Sequence, residues 1–325
     1  VDPFSDDSIE INIPKGFSAK KTGALLAEKN LIHNSLFFTL YARFMKKSAS
    51  IKSGVFMLSP SMTLAAILDT LSAPVSAKPV VTVTFPEGFD LAKIAARLEK
   101  MGVVKAGDFL KAFKLESLSI LKTYKTGAFT TYKGADNYEG LIFPDTYEFF
   151  KDSDPRETAQ RLLKKHVDFM AEYPDKGPLG LSRYECLILA SIIEKECSME
   201  TERPMAARVF LNRLEKNIKL ESCATVIYAL IEEVSVLTNE DLKFDSPYNT
   251  YIYAGLPPGP ICCAGKSSMH AVFNPSLGDW LYFVANGSGG HNFSATLKKH
   301  NYYKGLYKRK LRELKRQSNK LKTKQ

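Results

Sequence analysis

Two stretches of this chain are copies of one design. Residues 13–32, IPKGFSAKKTGALLAEKNLI, align without gaps on residues 85–104, FPEGFDLAKIAARLEKMGVV. Pro14 and Pro86, Gly16 and Gly88, Phe17 and Phe89, and Leu26 and Leu98 coincide. Each copy follows an alternating apolar run, IEINI or VVTVTF, which reads as a strand. A Pro-x-Gly turn then leads through Ser18 or Asp90, residues suited to a helix N-cap, into an amphipathic helix. Two copies are too few for a solenoid. Between them lie a second helix, SLFFTLYARFMKK, and then SGVFMLSPSMTLAAILDTLS, a strand followed by a Ser/Thr-capped helix. A chain of 325 residues exceeds one comfortable core. We therefore expect a small α+β module over 8–82 and a larger domain from residue 83 onward.

Beyond the second copy the elements come in blocks, not in a βαβ alternation, which makes the fold class α+β. YEGLIFPDTYEFF (138–150) ends in a strand, and DPRETAQRLLKKHVDFMAEY is an amphipathic helix. SRYE (182–185) is a capping box, with Ser182 as N-cap and Glu185 at the third helical position. It opens a helix to about Cys197. RPMAARVFLNRLEKN follows with Pro204 in its first turn, where proline is tolerated. Residues 239–275 read as loop-rich, and WLYFVANGSGGHNF reads as a strand, a glycine turn and a return strand.

The net charge of +10 is local. Twelve Lys or Arg and one acid, Glu313, lie between Lys298 and Gln325, a net +11, so the other residues sum to −1. The basic segment from Lys298 on, whose end is the C-terminal tail (306–325), reads as a solvated helix with a frayed end. Beyond Tyr302, Tyr303 and Tyr307 it has too few aromatics to stack bases, and no nucleic acid is expected. Five cysteines, with no C-x-x-C spacing, give neither a disulfide framework nor a zinc site. No apolar run reaches the ~20 residues of a membrane span. The chain begins at Val1 rather than Met, which raises the expectation of a preceding signal or anchor removed from it.

ASIIEKECS (190–198) sets two glutamates two positions apart, on roughly opposite sides of a helix. With Glu196 at zero and 100° per residue, Leu189 falls at about 20°, Ile192 at about −40° and Ile193 at about 60°. Glu196 thus stands on the Ile/Leu stripe, and Glu194 falls near ~160°. Burial disfavours a charged carboxyl and helps it keep the proton that an acid catalyst needs. The plainer reading is an ion pair, Glu196 with Arg203 or Arg208, and Glu194 with Arg183 or a residue of the next helix. Other polar clusters compete: Glu139 and Asp145 around EGLIFPD, Tyr248, Asn249 and Tyr251 in SPYNTY, and His291 after two glycines. The chain has no G-x-S-x-G, P-loop, G-x-G-x-x-G or H-E-x-x-H motif. Carboxylates with Asn, Tyr and aromatics, and without those motifs, point toward carbohydrate.

EGLIFPDTYEF, ASIIEKE, ARVFLNRL, TVIYAL, SPYNTYIYAGLPPGPI and LYFVANGSGGHNF occur in an order and spacing that resemble the YceG-like endolytic murein transglycosylase family (MltG). The resemblance runs from about residue 8 to 305. It implies a LysM-like subdomain at 8–82, a YceG-like catalytic domain at 83–305 and a membrane anchor absent from this chain. Such enzymes cleave MurNAc–GlcNAc bonds of nascent peptidoglycan strands to 1,6-anhydroMurNAc ends. The resemblance implies no metal and no cofactor. It further implies an extracytoplasmic, periplasmic site on a single-pass cell-membrane protein and a peptidoglycan synthase partner. It maps the catalytic acid/base to Glu196. The residues assigned to substrate are Glu194, Asn212, Tyr248, Asn249, Tyr251 and His291. A hydrolase would need a second carboxylate, about 5–5.5 Å away if retaining or ~6.5–9.5 Å if inverting, for which Asp145 and Glu139 are the candidates. The other class of reading is a catalytically silent wall-binding module. One departure stands out: where the family carries Asp-Pro before TVIY, this chain has Cys223-Ala224, with Glu221 as the acid that could compensate.

Overall fold

The computed structural model describes residues 9–73, 79–124, 138–230 and 237–322. The chain divides into two compact units, 1–80 and 81–325.

In the first unit, β1 (Ile9–Ile13) leads to α1 (Ala19–Glu28), α2 (Ser35–Phe44), β2 (Gly54–Leu58) and α3 (Leu64–Ser72). β1 and β2 pair antiparallel, with Ile11 opposite Phe56. Their inward residues Ile11, Ile13, Phe56 and Leu58 meet Leu26, Phe38, Ile67 and Leu71 of the helices in one core. Each helix starts at a side-chain cap: Ser18, Asn34 and Thr63 accept N–H groups of the first turn.

β3 (Val80–Thr84) and α4 (Leu91–Lys100) open the second unit and repeat the first copy in detail. Gly16 and Gly88 both take positive φ, 86° and 78°, the conformation that glycine adopts without a Cβ penalty. The amides of Phe17 and Phe89 close the turns on Pro14 and Pro86. Ser18 and Asp90 cap the two helices on the amides of Lys21 and Lys93. The sequence repeat is therefore a repeated strand–turn–helix.

α5 (Ala106–Tyr124), β4 (Thr146–Phe150), which pairs with β3, and α6 (Pro155–Ala171) complete the first half of this unit. α7 (Arg183–Glu196) and α8 (Arg203–Glu215) come next, then α9 (Cys223–Leu230) and α10 (Lys266–Phe273). The hairpin of β5 (Tyr282–Ala285) and β6 (His291–Ser294) is antiparallel, and α11 (Leu297–Lys322) packs its beginning on it. α10 corrects the loop-rich reading of 239–275: eight residues behind Gly265 form a helix held by tertiary packing on α7 and α8, too short to stand on its own propensity. α11 runs unbroken through 305–306, so the basic segment continues a helix of the unit. Residues 323–325 of the tail lie outside the described residues. Among the described residues no helix is long and apolar enough to cross a membrane.

Candidate active site

α7 starts at the capping box read from the sequence: Ser182 and Glu185 bond each other reciprocally. Every residue from Tyr184 to Ile193 is buried. The helix is thus enclosed on all sides by the second unit's core, and only its last turn emerges. The single apolar stripe expected from the wheel does not exist, because α8, α9 and α10 each pack on α7.

That enclosure changes what the two glutamates do. Glu194 is the more deeply held of the pair. Its side chain is 4% exposed and makes a 2.7 Å ion pair with Arg203, itself 6% exposed. It also accepts the amide of Gly265, the cap residue of α10, at 3.0 Å. Glu194 therefore ties the end of α7 to the starts of α8 and α10. Arg203 lies 3.6 Å from Glu87 as well. Burial, and then the charge of Glu194, raise the Glu87 pKa. The expected pairing of Glu196 with Arg203 or Arg208 is not what forms: Arg203 takes Glu194, and Arg208 donates to the carbonyl of Ser276 at 2.7 Å.

Glu196, half-buried in the final position of α7, faces the start of α9. Its Oε1 accepts the Ser222 hydroxyl at 2.5 Å and the backbone amide of Ala224 at 3.4 Å. Both donors belong to the first turn of α9 or the residue before it, where helical N–H groups lack intrahelical partners. A network behind them fixes this edge. The Ser222 amide donates to Thr250 Oγ1 at 3.0 Å, and the Thr225 hydroxyl donates to the Ser222 carbonyl at 2.9 Å. Ser222, Thr225, Asn249 and Thr250 are all buried.

Tyr251 stands at the same edge, its hydroxyl 3.2 Å from the Cys223 sulfur. Burial, then the bond to Cys223 and the charges of Glu196 and Glu221, hold the phenol proton well above its ordinary range. Tyr251 is thus a stable donor. Cys223 is exposed, whereas Cys186, Cys197, Cys262 and Cys263 are buried. Glu221, proposed above as a stand-in for the missing acid, instead pairs with Arg213 at 3.0 Å.

Of the remaining sequence candidates, the two asparagines hold backbone, and His291 and Tyr248 meet other side chains. Asn249 donates to the carbonyls of Leu242 and Phe244 and accepts the Tyr251 amide at 2.9 Å, so it shapes the turn that carries Tyr251. Asn212 donates to the carbonyls of Gly278 and Trp280 at 3.1 and 2.9 Å. His291 bonds Glu202 through both its ring and its amide, at 2.8 and 2.9 Å, with Phe283 against the ring. Tyr248 is half-buried beside Tyr228, ring centroids 4.9 Å apart.

The two rival carboxylates have partners of their own. Glu139 is buried, and both its oxygens accept the Leu91 amide at the start of α4. Burial lifts its pKa to about 7. Asp145 is paired with Lys165, which lowers its pKa. Ser222 is the site residue that the sequence reading missed. A serine before a short helix reads as an ordinary N-cap, and nothing local tells that its hydroxyl reaches a glutamate 26 residues away.

Fold and site define a two-unit α+β protein whose candidate centre is one carboxylate between the end of a buried helix and the start of a short one. The chain belongs to the YceG-like family, whose model matches residues 11–305. It is 31% identical over 321 residues to the endolytic murein transglycosylase of Bacillus subtilis (strain 168), covering 94% of this chain and 87% of that one. It is 29% identical over 325 residues to the protein of that name from Streptococcus pneumoniae serotype 2 (strain D39), and there it spans 57% of the relative's length. Among solved structures it is similar to a YceG-like protein of Listeria monocytogenes, with a TM-score of 0.62 and 35% identity over 92% of this chain and 99% of that one.

Proposed function

We propose that this protein is an endolytic lytic transglycosylase of peptidoglycan and that Glu196 is its single acid/base. The observation that carries the assignment is the division of labour between the glutamates: Glu194 is bound to Arg203, while Glu196 is half-exposed with Oε1 held by Ser222 and Ala224. The names of the relatives support the substrate class.

In this reading protonated Glu196 gives its proton to the glycosidic oxygen as the MurNAc C1–O bond breaks. The carboxylate then takes the proton of that sugar's own 6-hydroxyl, whose oxygen closes on C1. The product is a 1,6-anhydroMurNAc end, no water is consumed, and one carboxyl serves both steps. With Oε1 held, Oε2 is the oxygen we assign to the proton. Tyr251, a phenol that stays protonated, is assigned to a sugar oxygen, and Tyr248 to a sugar face. Glu194, Asn212, Asn249 and His291 act on substrate only through the framework they hold.

The β1–α1–α2–β2 run of the first unit, which α3 follows, supports reading it as a LysM-like glycan-holding module. The anchor, the extracytoplasmic placement and the synthase partner implied by the resemblance belong to the same proposal.

Digestion of defined glycan strands with mass-spectrometric product analysis tests it. Products lighter by one water than hydrolysis products, lost in Glu196→Gln with an unchanged melting curve, are the expected result. Hydrated ends, or near-wild-type activity of the variant, overturn it. Binding of sacculi without release of fragments would establish the silent wall-binding module instead.

A further inference from the structure

α2 of the first unit carries an apolar face that the fold leaves in solvent. Its sequence, SLFFTLYARF, has one charged residue. Phe38 and Ala42 are fully buried in the unit's core, as an amphipathic helix requires. The other side is apolar too: Leu36, Phe37, Leu40 and Phe44 are 65, 64, 54 and 82% exposed. At 100° per residue those four fall within an arc of about 100°, a continuous stripe. A helix apolar on both faces belongs between two apolar phases, and here only one is supplied by the unit. Single exposed apolar residues need no explanation, but a contiguous row of two phenylalanines and two leucines marks a contact surface.

The charges around the stripe select what covers it. Exposed Arg43 lies within the helix beside Phe44, and exposed Lys46 follows two residues later. Residues 9–73 as a whole carry eight Lys or Arg against three Asp or Glu. In an isologous pairing of two copies the same patch faces itself, so the cations beside the stripe would be brought against a surface of the same net sign. An anionic surface meets the same cations favourably. An apolar stripe of Phe and Leu with basic residues beside it is the chemistry of a segment that lies in a lipid–water interface, apolar side chains in the acyl boundary and cations among the headgroups.

We propose that α2 is a peripheral membrane-docking helix that seats Leu36, Phe37, Leu40 and Phe44 into the surface of an anionic lipid bilayer. This contact stands apart from the glycan chemistry and from any anchor.

Co-sedimentation of the full chain with vesicles of phosphatidylglycerol and phosphatidylcholine tests it, at physiological ionic strength so that the basic tail is screened alike in every sample. Wild type and the double variant Phe37→Ser/Phe44→Ser are compared. Neither substitution changes charge and both positions are exposed, so the tail's attraction and the thermal melt are expected to stay the same. The partition coefficient should fall about tenfold or more in the variant. Equal partitioning of the two proteins, or no vesicle binding by the wild type, overturns the proposal. A lipid-free dimer seen by light scattering and abolished by the substitutions also overturns it, in favour of a second copy as the occupant.

Discussion

Arg203 and Glu194 close a 2.7 Å ion pair whose side chains are almost wholly removed from solvent, and on the proposed mechanism that pair leaves Glu196 as the acid/base. Removing one partner leaves a buried, unpaired charge. Arg203→Met is expected to lower stability by about 3–5 kcal/mol in urea unfolding. The double replacement Glu194→Leu/Arg203→Met should recover part of that loss, since no lone charge remains. It should not recover all of it, because the Gly265 amide loses its acceptor.

Ser222 holds Glu196 through one hydroxyl, and a hydrogen bond to a charged group contributes about 1.5–3 kcal/mol. On the proposed mechanism, Ser222→Ala should reduce kcat roughly 10–100-fold with little change in KM. The pH profile of kcat should move as well, because the substituted enzyme alters the environment of the acid/base itself. Steady-state rates on glycan strands across a pH series check both. An unchanged profile with lowered stability would make Ser222 a scaffold residue only.

Glu139 makes stability depend on pH in a defined sense. Its folded pKa, raised by burial to about 7 from 4.5, exceeds the unfolded value. The folded state therefore binds more protons between those two values, and stability falls as pH rises through that window. The penalty is absent below about 4.5, full above about 7, and on the order of 3 kcal/mol. Urea midpoints measured from pH 4.5 to 8 should show the decline in the wild type and a flatter curve in Glu139→Gln.

Thiol labelling should separate the cysteines. Burial pushes Cys186 and Cys197 up to about 12 and Cys262 and Cys263 well above the ordinary thiol range, and only Cys223 is exposed. Iodoacetamide on native protein is expected to give one adduct, at Cys223, by peptide mass mapping. Because that sulfur lies 3.2 Å from Tyr251 and beside the Glu196 donors, the adduct should depress glycan cleavage, and Cys223→Ser should resist the loss.

The strand–turn–helix repeat, the caps at Ser18, Thr63 and Asp90, the Ser182–Glu185 box and the 282–294 hairpin were all legible from the sequence. Each is a contact between residues a few positions apart, where backbone geometry leaves few choices. α10 was not legible, because eight residues behind a glycine become a helix only when α7 and α8 support them. The glutamate pair shows the same limit inside the site. The helical wheel placed Glu196 on the apolar side and Glu194 away from it. The folded unit surrounds α7 completely, so Glu194 carries the deeper burial with Arg203, and Glu196 comes to the edge of α9.

What the sequence determined by itself is that a carboxylate pair ends an apolar helix within a chain of recognisable elements. Tertiary structure alone decided their partners: Arg203 lies nine residues from Glu194, and Ser222 lies 26 from Glu196. Over such separations a side chain's neighbours are set by which helices pack together, and periodicity along one helix carries no information about that.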